Sequence, residues 1–215
     1  MNIALLLKSF IDLLAVLLLA IGIKGLSKVR SAREANLLAA FAMTLAVVGV
    51  LFDSIATNGI SLNAWVWIIL GSAIGGSLGL ITAKRVPMTA MPETVALFNG
   101  CGGMSSLLVA IGVALFPVSA ETKILTKDLV ESISIAVSVF VGSITFSGSI
   151  VAMAKLQGWL STPAWMQSKV RHVVNIAFAV ISLVAIVELL NASNSALWLL
   201  VIGSGLLGIG VTLPI

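Results

Sequence analysis

The chain has 215 residues, of which 60% are hydrophobic and only 9% are charged, and its mean hydropathy is +1.19. Soluble domains are usually about one quarter charged, so this composition excludes an ordinary soluble domain and predicts a chain embedded in lipid. The formal net charge of +4 is carried by basic residues in short segments between apolar stretches, which argues against a nucleic-acid partner.

Seven apolar stretches are long enough, or nearly so, to cross a hydrocarbon core of about 30 Å as helices. The predicted helices are 3–23, 36–51, 64–83, 92–116, 129–154, 172–190 and 195–213. The segments between them are short, so we predict an all-α, polytopic transmembrane bundle that forms a single domain over 1–215. Lys24 and Lys28 follow the first stretch, and no small-x-small cleavage site does, so we expect a retained helix and not a signal peptide.

Lys and Arg are distributed unequally between the two sets of loops that seven spans would create. Nine lie on one side, namely Lys24, Lys28, Arg30, Arg33, Lys84, Arg85, Lys155, Lys169 and Arg171. Three lie on the other, namely Lys8, Lys123 and Lys127. Basic residues concentrate on the cytoplasmic side of membrane proteins, so we predict an external N-terminus and a cytoplasmic C-terminus.

The third predicted helix carries glycines at four-residue spacing. Gly71, Gly75 and Gly79 form two overlapping GxxxG units on one helix face, a pattern typical of close helix–helix packing in a bilayer. The same region lacks a preceding strand, so it is no dinucleotide-binding loop, and we expect this chain to bind no dinucleotide cofactor. Cys101 is the single cysteine and His172 the single histidine, so we predict no metal site and no catalytic residue.

The fourth predicted helix bears a polar, small-residue stripe. Asn99, Gly102, Gly103 and Ser106 follow one another at offsets of 3, 4 and 7. Polar residues inside a membrane span are costly and must face protein or water. Two interpretations remain open: a packing face with one hydrogen-bonded Asn, or a hydrated path lined by Asn99 and Ser106.

The fifth predicted helix carries a longer stripe of the same kind. Its members are Glu131, Ser134, Ser138, Gly142, Thr145 and Ser149. At 1.5 Å per residue they extend over about 27 Å on one helix face, close to the thickness of the hydrocarbon core. Hydroxyls both donate and accept, so the row could hold a chain of waters; serines in membrane helices also bond their own backbone or simply pack closely. Both interpretations stay open.

A third polar group begins the sixth predicted helix. Arg171, His172 and Asn175 lie near one another at its start. They would serve either as interfacial anchors or as a cytoplasmic gate or docking surface, where a histidine can change its charge near neutral pH.

Several of these segments together resemble one family. Residues 83–100 (AKRVPMTAMPETVALFNG) resemble the basic pair, Met-Thr-x-Met-Pro and polar helix of the beta subunit of proton-translocating NAD(P) transhydrogenases. Residues 143–152 (SITFSGSIVA), followed by Lys155, look like the same subunit's Thr-Phe-x-Gly-Ser helix. Arg171 and His172 with Asn175 match a third block, and 25–27 and 212–215 also fit in order.

The resemblance implies a function. Family members transfer hydride from NADH to NADP⁺ in soluble domains and couple this to proton movement through the membrane. It implies that Ser149 matches a polar site on the proton path. In many members the position of Asn99 is a proton-relaying His, which here would come from the partner alpha subunit. The chain would then be a fragment of a longer beta subunit that ends before further helices and the NADP(H)-binding domain.

The expected assembly follows from the same resemblance. The partners would be the alpha subunit's membrane helices and the nucleotide-binding domains, in a homodimer of the whole complex in the inner cell membrane. The alternatives are a stand-alone secondary transporter or channel, or a structural scaffold. On the path hypothesis, bulky apolar residues at Ser138, Thr145 or Ser149 impair pumping more than the same changes at Ser143 or Ser147.

Overall fold

A computed structural model describes residues 3–28, 30–57, 59, 61–116, 129–163, 169–190 and 194–214. Within these ranges the chain forms seven α-helices and no strand. In chain order they are α1 (Ile3–Leu26), α2 (Ala32–Thr57), α3 (Leu62–Arg85), α4 (Met91–Leu115), α5 (Leu129–Leu156), α6 (Val170–Leu190) and α7 (Asn194–Thr212). Each described helix is long and apolar enough to cross a membrane, so the predicted all-helical, polytopic class is confirmed.

The largest difference from the predicted bounds is in α2, which extends beyond 36–51 at both ends. The predicted helix began at residue 36 and left out Arg33 and Glu34, which lie in the first turn of the observed helix. A carboxylate there faces the positive end of the helix dipole, and a long basic side chain can reach the interface, so charge does not end the helix at this point.

The chain divides into two compact units, 1–82 and 83–215. In the first, α1 and α2 form a hairpin whose backbones approach closely at Gly22 and Gly25. A Cβ on Gly25 would lie 2.7 Å from the Cβ of Ala35, so only glycine fits there. The Ser31 hydroxyl donates to the Gly25 carbonyl (2.8 Å) and so caps the end of α1.

Helix α3 has no buried residue among those that the structure describes. No described atom lies within 4 Å of the position that a Cβ would take on Gly71, Gly75 or Gly79. The close packing predicted for this glycine face is therefore not made by any described residue of this chain.

In the second unit α5 is the central helix. It packs against α4 on one side and α7 on the other, and α6 packs on α7. The buried apolar cluster consists of Leu107, Ala110, Ala114, Ile135, Ala136, Val139, Ala185, Leu189, Ala196, Leu197 and Leu200. Its many alanines indicate that the helices approach closely, as is usual in membrane bundles. A single domain over 1–215 stays a prediction.

Candidate functional site

Helix α4 is preceded by a short 3-10 turn, Met88–Ala90, and starts with Pro92 in its first turn. Proline suits this position because its missing N–H would lack a helical partner there, and Glu93 beside it faces the positive end of the helix dipole. The Thr94 hydroxyl donates to the Ala90 carbonyl (2.8 Å). Because α4 begins at Met91, Asn99 lies about two turns from the start of the helix.

Asn99 and Ser149 are joined by a hydrogen bond between α4 and α5. The Asn99 amide Nδ2 donates to Ser149 Oγ over 2.8 Å. Ser149 is buried, with 7% of its surface exposed, whereas Asn99 lies on the exposed side of α4. The two predicted polar stripes therefore meet at these residues. A serine hydroxyl has one donor and two acceptor positions, so the pair can extend to a water or another side chain.

One turn along, the two helices cross with their backbones in contact. A Cβ on Gly103 would lie 2.8 Å from the Phe146 nitrogen and 2.9 Å from the Gly142 carbonyl oxygen. A Cβ on Gly142 would lie 2.8 Å from the Gly103 carbonyl oxygen. Real Cβ atoms do not approach backbone atoms so closely, so the crossing requires glycine on both helices.

Beyond the crossing an open crevice of about 420 Å³ lies between α4 and α5. Its lining residues are Ser105, Ser106, Val109, Ala110, Val113, Glu131, Ser134, Ile135 and Ser138. Two of the serines bond their own helix: Ser105 Oγ donates to the Cys101 carbonyl (2.9 Å) and Ser134 Oγ to the Val130 carbonyl (2.7 Å). Intrahelical bonding, one of the two interpretations of the stripe, therefore applies to Ser134.

All six predicted path residues lie along this one seam between α4 and α5. Glu131, Ser138 and Ser106 line the crevice, and Asn99 and Ser149 form the pair on the other side of the crossing. Thr145 is half-buried, and its Cβ lies within 2.8 Å of the Cβ position of Gly103. The structure thus brings these residues together; what they conduct stays a prediction.

The three residues predicted at the start of α6 lie in two different environments. Arg171 Nε donates to His172 Nε2 (3.3 Å) in an exposed contact between neighbours. Asn175 instead points into the seam with α7, where its Nδ2 donates to the Gly210 carbonyl (3.1 Å). Its Oδ1 is buried and has no hydrogen-bond partner among the described residues. Gly210 contacts this side chain so closely that a Cβ there would collide with it.

A polar clasp at the ends of α5 and α7 was not predicted from the sequence. Lys155 Nζ donates to Thr162 Oγ1 and to the Leu213 carbonyl, each over 2.7 Å, and Thr162 Oγ1 also donates to that carbonyl (3.1 Å). Gly158, with φ of 75°, ends α5 and turns the chain back so that Thr162 can reach Lys155. The sequence signal was Lys155 in the last turn of α5, which we used only as a loop charge and as part of the family resemblance.

Two further serines lie on the other sides of α5. Ser143 is buried and its Oγ has no hydrogen-bond partner among the described residues. Ser147 Oγ donates to the Ser143 carbonyl (2.9 Å) and lies against Gly208 of α7. Ser147 therefore contacts α7, and Ser143 is buried within the described part of the chain.

These features define a class: a multi-pass α-helical membrane protein with a polar seam between two of its spans. Comparison with known proteins gives the family. The family model described as NAD(P) transhydrogenase beta subunit matches residues 8–215. The chain belongs to this family, as the resemblance predicted.

Two curated relatives illustrate the similarity. Both are NAD(P) transhydrogenase subunit beta sequences from Rhodospirillum rubrum, and each is 37% identical to this chain over 153 residues. The aligned stretch covers 69% of this chain but only 31% of the relative. The chain thus corresponds to about a third of the length of these relatives.

Proposed function

We propose that this chain forms the proton-conducting part of the membrane domain of a proton-translocating NAD(P) transhydrogenase. The observation that supports this most directly is the hydrogen bond between Asn99 and Ser149, which joins two polar stripes within apolar spans. A polar side chain inside a span is retained at a cost in free energy, and it either bonds to another helix or lines a path for ions or protons. The family membership of the chain supplies the reaction to which the path belongs.

The proposed path follows the seam. Glu131 lies at its outer mouth, Ser138 and Ser106 line the crevice, and Thr145 leads to the pair of Asn99 and Ser149. Hydroxyl and amide groups can both donate and accept hydrogen bonds, so they can support a row of waters along which a proton moves. Such waters need two to four polar partners each, and Glu131, Ser106 and Ser138 place polar atoms along the crevice.

In this proposal the chemistry of hydride transfer takes place elsewhere. Hydride passes from NADH to NADP⁺ in separate soluble domains, and NAD(H) and NADP(H) bind there and not to this chain. The partner is the alpha subunit, whose membrane helices lie against the exposed side of α4. The exposed position of Asn99 and the open space at Gly102 support such a contact, because an amide exposed to lipid is unfavourable. A histidine on that helix would take the role of the residue that many members have at position 99.

The remaining features of the assembly are also proposals. We place the chain in the inner cell membrane, in a homodimer of the whole complex, with its N-terminus outside. The charge distribution supports this orientation, since nine of the twelve basic residues lie in or beside the segments that join α1 to α2, α3 to α4 and α5 to α6. Arg171 and His172, which are adjacent and at the surface of α6, would then form a cytoplasmic docking surface, while Asn175 serves in the α6–α7 seam.

The test is proton pumping by the complete complex reconstituted in liposomes. We expect Asn99→Leu and Ser149→Ala each to lower proton-coupled hydride transfer by about tenfold or more, equivalent to ~1.4 kcal/mol in the barrier. Expression and thermal stability should stay near those of the unsubstituted complex. Pumping at the original rate in both variants would refute the proposal and leave the pair as a packing contact.

The structure also changes the choice of control. Ser147→Leu is unsuitable, because a leucine there would meet the backbone of Gly208 and disrupt packing for reasons unrelated to protons. Ser77→Ala is a better control: Ser77 is exposed on α3 and its Oγ donates to the Ala73 carbonyl of its own helix (2.5 Å). We expect this variant to pump normally, and a matching loss there would indicate that the assay responds to any lost hydroxyl.

A further inference from the structure

The last turn of α7 lacks one hydrogen bond of a regular helix. The Leu213 N–H donates to the Ile209 carbonyl over 2.9 Å, so the helical series of bonds continues up to residue 213. The next donor in that series would be the amide of residue 214, but Pro214 has no N–H. The Gly210 carbonyl, which would accept that bond, therefore receives no helical N–H from four residues further on.

Asn175 of α6 provides a donor to this carbonyl. Its Nδ2 donates to the Gly210 oxygen over 3.1 Å, which gives the carbonyl the partner that proline removes. The side chain fits tightly, because a Cβ on Gly210 would collide with it. Its Oδ1 is buried with no hydrogen-bond partner among the described residues, and burying an unpaired oxygen is unfavourable. Within the described part of the chain, the contribution of this amide to the seam is therefore its donor and not its oxygen.

The same turn of α7 packs against α5 beside Ser149. Gly148, the residue before Ser149, is buried and lies against Thr212: a Cβ on Gly148 would be 2.8 Å from Thr212 Oγ1. Successive residues of a helix point about 100° apart, so Thr212 and Asn99 contact neighbouring residues on different sides of α5. Because Thr212 and Gly148 are in close contact, a shift of the end of α7 changes the position of α5 where Ser149 accepts from Asn99. Hydrogen bonds weaken steeply with distance and angle, so this bond is sensitive to such a shift.

We propose that Asn175 is a positioning residue for Ser149. By replacing the helical bond that Pro214 removes, it holds the last turn of α7 in the position where Thr212 packs against α5. The proposal rests on the proposed function, because the position of Ser149 affects proton movement only if the proton path passes it. The effect of Asn175 passes through α7, so Asn175 is not itself placed on the path.

The experiment is a double-mutant cycle in the complete complex, with Asn175→Leu, Pro214→Ala and both together. Asn175→Leu removes the donor and keeps a side chain of similar size, and Pro214→Ala restores the N–H four residues after Gly210. We expect Asn175→Leu to lower the thermal unfolding temperature by roughly 2–4 °C and proton pumping by about threefold. Adding Pro214→Ala should recover most of both losses, because the Gly210 carbonyl regains a donor.

Ser182→Ala is a matched control in the same seam between α6 and α7. Ser182 is buried, its Oγ donates to the Phe178 carbonyl of its own helix (2.8 Å), and it lies against Gly203. We expect this variant to pump normally, and its combination with Pro214→Ala should behave as Pro214→Ala alone does. Rescue by Pro214→Ala is then specific to the loss of Asn175.

Two results would overturn the inference. Additive effects of Asn175→Leu and Pro214→Ala on the unfolding temperature would mean that Asn175 does not replace the helical donor. Normal pumping by Asn175→Leu would mean that its bond holds the helix end without positioning Ser149. If Asn175→Leu fails to assemble, the amount of complex recovered in the double variant decides, and no recovery refutes the proposal. Normal pumping by Asn99→Leu and Ser149→Ala would instead refute the proposed path, whatever the unfolding temperatures show about Gly210.

Discussion

Helices α3 and α5 both contain glycines, but the glycines of the two helices have different surroundings. In α3 three glycines recur at regular four-residue spacing, yet no described atom lies within 4 Å of the Cβ positions of Gly71, Gly75 and Gly79. In α5 Gly142 belongs to no such repeat, and it lies in backbone contact with Gly103. The regular pattern was the clearer packing signal in the sequence, but the isolated glycine makes the tight crossing.

The difference shows that a glycine stripe defines a surface and does not define its partner. Close approach depends on a second helix with an equally small residue at the matching depth, which Gly103 provides for Gly142. Polar side chains nearby depend on the same contact, because Asn99 reaches Ser149 only if the backbones are close. The same type of substitution in α3 and in α5 should therefore change the stability of the protein by unequal amounts.

The largest difference in the free energy of unfolding is expected between Gly142→Ala in α5 and Gly75→Ala in α3. Gly142→Ala places a methyl group 2.8 Å from the Gly103 carbonyl oxygen, so we expect the free energy of unfolding to fall by about 1–3 kcal/mol, as in overpacked cores. Gly75→Ala should leave it unchanged or raise it by about 0.5–1 kcal/mol, because alanine favours the helix. Thermal unfolding in detergent measures both. Equal losses would mean that α3 is as tightly packed as α5.

The clasp at the end of α5 gives a second contrast. Lys155→Met removes two hydrogen bonds and leaves the half-buried Leu213 carbonyl with the Thr162 hydroxyl alone, so we expect a loss of about 1–2 kcal/mol. Lys84→Met, at the exposed end of α3, should have no measurable effect. Urea or thermal unfolding of both variants in the same detergent is sufficient. If Lys84→Met destabilises as much, the clasp contributes nothing specific.

The smallest changes in stability are expected for serines of the two helices whose hydroxyls donate to a carbonyl of the same helix. Ser147 Oγ donates to the Ser143 carbonyl and Ser77 Oγ to the Ala73 carbonyl. Because alanine keeps the packing and the lost bond is local, Ser147→Ala and Ser77→Ala should each change stability by less than about 0.5 kcal/mol. A larger loss for Ser147→Ala alone would show that its hydroxyl is needed by the contact with Gly208.

Much of the candidate site could be predicted because helical periodicity places residues on a face. The offsets between Glu131, Ser138 and Ser149 were sufficient to put them on one side of α5, and that side does face α4. The offsets could not identify Gly103 and Gly142 as a crossing, because the depth at which two helices meet depends on loops and on the other helices. They also could not separate Asn175 from His172, which are one turn apart in sequence but contact different surroundings.

By itself the amino-acid sequence determined that this protein is a set of seven apolar helices, and its motifs identified the transhydrogenase beta subunit family. Length and hydropathy suffice for the first, because every backbone polar group in lipid must be bonded within its own helix. Only the tertiary structure decided which polar residues meet. The pairing of Asn99 with Ser149, the clasp of Lys155 on Leu213 and the contact of Gly103 with Gly142 all join residues more than 35 positions apart. Such contacts depend on how closely two helix backbones can approach, and that depends on side-chain volumes on both helices at once.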